Sequence, residues 1–170
     1  MTALRAAAAA AAVAVALVLQ VSVFPHLAWD GIVPNLCLLV VVGAALTQGS
    51  SFAMVLGFGA GVALDLAPPA DHVAGRWALA LVLVAYVAGR VRQGARPSVG
   101  TVVATVAASS FLGTSVFALS GLVLDDPALG IPELLEVIGV ALLWDLLLTP
   151  LVLPAVMALL RRIEPDRAVA

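Results

Sequence analysis

The chain has no lysine, one cysteine and one tyrosine, and charged residues make up only 11% of its 170 positions. Each shortage removes a class of function. A lone cysteine, Cys37, cannot close an intramolecular disulfide; with no second Cys or suitably placed His pair it is a poor metal ligand, and within an apolar run it reads as a small buried hydrophobe. A net charge of -2, with arginines scattered at segment ends, leaves no basic stripe for nucleic acid. The two histidines, His26 and His72, have no serine or cysteine motif beside them. Phosphate loop, G-x-G-x-x-G and H-E-x-x-H patterns are all missing. No catalytic residue, metal site or cofactor is expected, and the chain does not read as an enzyme.

What remains is apolar. Hydrophobic residues account for 64% of the chain, against roughly half in ordinary soluble domains. Several runs reach or approach the ~20 residues that a helix needs to cross a hydrocarbon core of about 30 Å. The expected fold is all-α: a single integral membrane domain, 1–170, with helices over about 6–24, 33–47, 51–66, 74–88, 98–124 and 133–160. The first run is longer than a signal-peptide core, and no convincing small-x-small site precedes a soluble mature domain, so an uncleaved anchor is expected. The second and third runs are short, and Gln48, Gly49 and Ser50 between them suggest a tight helical hairpin rather than one long helix.

Arginine placement tests that count, because positive residues near span ends are retained in the cytoplasm. Six spans put Arg5, Arg90, Arg92, Arg96, Arg161, Arg162 and Arg167 on one side and leave only Arg76, among Asp30, Asp71, Asp125 and Asp126, on the other. Both termini are then cytoplasmic, in a multi-pass protein. A re-entrant hairpin of the second and third runs would sort the charges identically, so whether those two fully span stays open. Trp29, Trp77 and Tyr86 fall near expected membrane boundaries, where amphipathic rings are favoured.

Few polar residues interrupt the runs. Gly57, Gly61 and Asp65 follow one another at four-residue steps on one face of the third run, a small-residue face for close helix packing or for a partner protein. The natural counter-ion of Asp65 is Arg76 across a Pro-rich turn, and an ion pair latching the third and fourth helices is expected. Asp145 falls near mid-membrane in the sixth run, with Thr149 one turn away and Pro150 and Pro154 each removing a backbone donor. This predicts a kinked helix with a polar notch, satisfied from the fifth helix by Ser109, Ser110 or Thr114 or else functional. The arginines at segment ends read as snorkelling to lipid headgroups.

Pro34, Asn35 and Leu36, then Gly57, Phe58 and Gly61 followed by Asp65 and Leu66, then Gly75 and Tyr86, together resemble the rod shape-determining MreD family of bacteria. The resemblance is carried by the region from about Pro34 to Gly89. It implies a non-enzymatic scaffold in the plasma membrane, belonging to the cell-elongation complex that builds peptidoglycan, with MreC, MreB, a SEDS-family glycosyltransferase and a class B penicillin-binding protein as partners. A distant likeness to substrate-binding components of vitamin-type transporters supplies the alternative. That reading needs several polar groups converging on a pocket, and the sequence offers few.

Overall fold

The computed structural model describes residues 2–68, 72–91, 97–124 and 130–163. Asp71, Arg92, Arg96, Asp125, Asp126 and Arg167, used above in sorting charges, lie outside the described residues. Six α-helices follow in order: α1 Thr2–Ser22, α2 Leu36–Gln48, α3 Ser50–Leu66, α4 Arg76–Val91, α5 Val99–Val123 and α6 Ile131–Arg162. A short 3-10 turn, Phe24–Leu27, follows α1. Among the described residues three helices, α1, α5 and α6, are long and apolar enough to cross a membrane.

Each boundary has a local cause. The second helix starts at Leu36 and not at Val33, because Pro34 cannot donate a backbone hydrogen bond and Asn35 caps the first turn, its Oδ1 accepting from Leu38 N at 2.9 Å. Before it, Asp30 and Gly31 take positive φ and close a two-residue turn in which Trp29 and Ile32 exchange backbone hydrogen bonds. Gly49 alone separates α2 from α3; its φ of +92° is reached cheaply only without a Cβ. The fourth helix begins at Arg76, two residues later than expected, after Gly75 at φ +100°. Pro150 and Pro154 lie inside α6, which continues through both to Arg162.

The arrangement centres on α2. Every residue from Leu36 to Thr47 is buried, and α2 packs against all five other helices. At 1.5 Å per residue it is about 20 Å long, well short of a hydrocarbon core of about 30 Å. It runs parallel to the second half of α6, since Asn35 meets Asp145 at one end and Gln48 meets Leu160 at the other. It runs antiparallel to α1, with Gln20 beside Cys37 and Arg5 beside Gln48. Large apolar side chains point outward from the surrounding helices, Val55 on α3 and Leu151 on α6 being 76% and 72% exposed. That is the inverse of a water-soluble surface and suits contact with lipid.

Packing is closest between α3 and α4, which run antiparallel. A Cβ built on Gly57 would fall 2.7 Å from the carbonyl oxygen of Leu81, one on Gly61 would overlap the backbone of Ala78, and one on Gly89 would fall 2.6 Å from Ser50 Cα. In lipid there is no hydrophobic force pulling helices together, so such backbone-to-backbone contact supplies the van der Waals attraction that does.

Candidate functional site

Among the described residues two carboxylates lie buried in these apolar helices: Asp65 in the last turn of α3, 2% exposed, and Asp145 near the middle of α6, 1% exposed. A carboxylate in such surroundings persists only with strong hydrogen-bond partners. Each finds at least one at the start of a helix other than its own.

Asp65 faces the first turn of α4. Its Oδ2 accepts from Gly75 N at 2.8 Å and Ala78 N at 3.2 Å, and its Oδ1 from Trp77 N at 3.0 Å. These amides precede the point at which α4 can supply its own acceptors, and the helix dipole favours an anion there. The positive φ of Gly75 turns its N–H toward the carboxylate. The side chain of His72 lies nearby, with Nδ1 3.9 Å from Asp65 Oδ1.

The ion pair expected between Asp65 and Arg76 is thereby corrected. Arg76 turns to α5: Nε and Nη2 donate to the carbonyl of Phe117 at 3.2 and 2.8 Å, Nε also lies 3.3 Å from Ser120 Oγ, and the guanidinium stands 3.9 Å over the Phe117 ring. Trp77 stacks on the same ring at 4.4 Å. The physical reason is direction. The carboxylate approaches α4 along its axis, where the free N–H groups point, whereas the arginine side chain leaves the helix radially.

Asp145 closes the second joint. Its Oδ1 accepts from Asn35 N at 2.8 Å and its Oδ2 from Ser110 Oγ at 2.7 Å. A helix beginning inside an apolar interior must find acceptors for its leading amides. Here α6 serves Asn35 N, the Asn35 side chain serves Leu38 N, and Gln20 of α1 serves Cys37 N at 3.4 Å. Thr149 does not touch the carboxylate; its Oγ1 donates to the backbone oxygen of Asp145 at 2.7 Å. The ring of Trp144 meets Phe24 edge to face at 6.2 Å, tying the 3-10 turn to the same level of α6.

Replacing Asp145 by asparagine is expected to change little. An asparagine oxygen can still accept from Asn35 N while its amide group donates to Ser110. Asp145→Leu strands the buried Asn35 N–H, whereas the Ser110 hydroxyl can rotate, and is expected to cost about 1–3 kcal/mol. Thermal unfolding in detergent should rank wild type and Asp145→Asn together, above the leucine variant. A large loss in the asparagine variant would show that the charge itself is required.

The sequence singled out Gly57, Gly61, Asp65, Arg76, Asp145 and Thr149. The fold puts the first four at the contacts among α3, α4 and α5, and the last two at the junction of α6 with α2 and α5. The face formed by Gly57 and Gly61 is covered by α4 and is not open to another protein. Sequence reasoning missed Gln20, Gln48 and the capping role of Asn35. Gln48 receives a hydrogen bond from Arg5 Nη1 at 3.2 Å and donates to Leu160 O at 3.3 Å, joining α1, α2 and α6. An isolated glutamine in an apolar run was the available signal. Among the described residues no group of three or more His, Cys, Asp or Glu side chains could hold a metal ion.

Neither a curated protein nor a solved structure gave a significant match to the chain. The family model of the rod shape-determining protein MreD matches residues 3–163, nearly the whole length, and the chain therefore belongs to the MreD family.

Proposed function

We propose that the chain is a multi-pass protein of the bacterial plasma membrane, a single domain crossing six times with both termini cytoplasmic, and that it acts as a non-enzymatic scaffold of the peptidoglycan-building elongation complex. The observation that carries this reading is the family match, which implies a rod-shape-determining membrane protein of the Mre system. The fate of the buried polar groups supports it. Both carboxylates accept from amides at helix starts, and Arg76 donates to the Phe117 carbonyl and stands over its ring. In this reading Gly57, Gly61, Asp65 and Arg76 hold α3, α4 and α5 together, while Asp145 and Thr149 belong to the joint that fixes α6. A rigid bundle then presents its outward apolar faces to partner helices, with MreC, MreB, a SEDS-family glycosyltransferase and a class B penicillin-binding protein as the proposed complex.

Affinity purification of the tagged chain from gently solubilised membranes tests this directly. Cell-wall synthesis proteins should be recovered with it. Recovery of an ATPase transport module in their place would overturn the assignment.

A further inference from the structure

An apolar groove of about 630 Å³ runs between the first turns of α5 and the second half of α6, lined among others by Val99, Val103, Thr149, Pro154, Ala158 and Arg161. Its volume falls within the range of about 300–1,000 Å³ usual for small-molecule sites. Along α6, from Leu146 to Ala158, the apolar lining extends for about 18 Å, close to the half-thickness of about 15 Å of a hydrocarbon core.

The two ends of the groove differ in charge. Deep in the bundle the walls are apolar apart from Thr149, whose hydroxyl is already committed to Asp145 O. At the other end stands the exposed Arg161. The start of α5 lies at that end too, with Ser98 capping the first turn by accepting from Thr101 N at 3.1 Å. From Leu146 to Ile163 the sequence carries Arg161 and Arg162 and no acidic residue, with Glu164, Asp166 and Arg167 following. The groove thus accepts an amphiphile with a tail about one leaflet long and a negative head.

We infer that this groove binds an anionic glycerophospholipid, one acyl chain lying along α6 between Pro154 and Val103 and the phosphate meeting Arg161. A second transmembrane helix is the rival occupant, and charge decides against it. With the Arg161 end cytoplasmic, as proposed above, an apolar partner helix brings no negative group there to meet Arg161. A phospholipid brings the opposite charge, and basic pockets between helices on that side are suited to such headgroups.

Native mass spectrometry of the isolated full chain, delipidated and titrated with phosphatidylglycerol or phosphatidylcholine of identical acyl chains, tests the inference. It needs no partner protein, so its failure would leave the elongation-complex reading standing. Wild type should retain one phosphatidylglycerol about fivefold more strongly than phosphatidylcholine, the preference expected of one basic residue near a membrane surface. Arg161→Gln should erase the preference and leave phosphatidylcholine retention unchanged. Ala158→Trp, which fills the groove from an exposed position, should reduce retention of both. Equal retention of the two lipids by wild type would overturn the inference, as would phosphatidylglycerol binding untouched by Ala158→Trp, or displacement of the lipid by inorganic phosphate alone.

Discussion

Asp65→Ala is expected to destabilise the folded bundle by on the order of 3–5 kcal/mol and to lower the amount of protein held in the membrane several-fold. The carboxylate accepts from three amides, those of Gly75, Trp77 and Ala78. A hydrogen bond to an ionised acceptor contributes about 1.5–3 kcal/mol, and amides left without acceptors in a low-dielectric setting add their own desolvation cost. Loss of an ordinary helix cap in water costs about 1 kcal/mol, because water replaces the missing acceptor. Little water is available at a carboxylate that is 2% exposed. Asp65→Asn keeps one acceptor oxygen but aims donors at donors, so it should fall between wild type and alanine. Melting temperature in detergent and membrane abundance by immunoblot are the readouts; wild-type values in the alanine variant would refute the capping role.

Gly61→Ala is expected to be nearly as damaging, at about 3 kcal/mol, although it adds a single methyl group. The added carbon would meet the backbone of Ala78 and the carbonyl carbon of Trp77. Backbone atoms cannot rotate aside as a side chain does, so α3 and α4 must separate along their length and lose the close contact that substitutes for hydrophobic force in lipid. The same change at Gly59 is the control. A Cβ there meets nothing within 4 Å, and alanine is the better helix former by roughly 0.8–1 kcal/mol. Gly59→Ala should therefore melt at or above the wild-type temperature while Gly61→Ala melts well below it. Equal behaviour of the two variants would show that close approach of α3 and α4 contributes little.

How far these joints were legible from sequence depends on what kind of group forms them. Apolar run length and glycine punctuation located the helices closely: α3 spans Ser50–Leu66 where 51–66 was expected, and α5 spans Val99–Val123 where 98–124 was expected. The glycine face at Gly57 and Gly61 was visible too, because spacing alone puts those residues on one side of a helix. The partner of Asp65 was not. Sequence offers the nearest opposite charge, Arg76, whereas the carboxylate's real partners are backbone amides, which every residue except proline carries and no residue type announces. The same blindness applied to Asp145. Ser110 was among three hydroxyls named for it, but the amide of Asn35, which lies 110 positions away in the chain, left no mark in composition or periodicity. The shortness of α2 was legible, and the structure adds that this short helix is enclosed by the five others.

That enclosure bears on the order in which the chain can mature during synthesis. The N-terminal part of the bundle leaves the ribosome first, yet one wall of α2 is built from Asp145, Val156 and Leu160 of α6, which emerges after the other five helices. Until α6 arrives, the leading amide of α2 has no carboxylate, Gln48 has no carbonyl at Leu160, and one flank of the short central helix is uncovered. A chain truncated after α5 would thus have an unfinished centre. Completion of α6 supplies both missing partners at once.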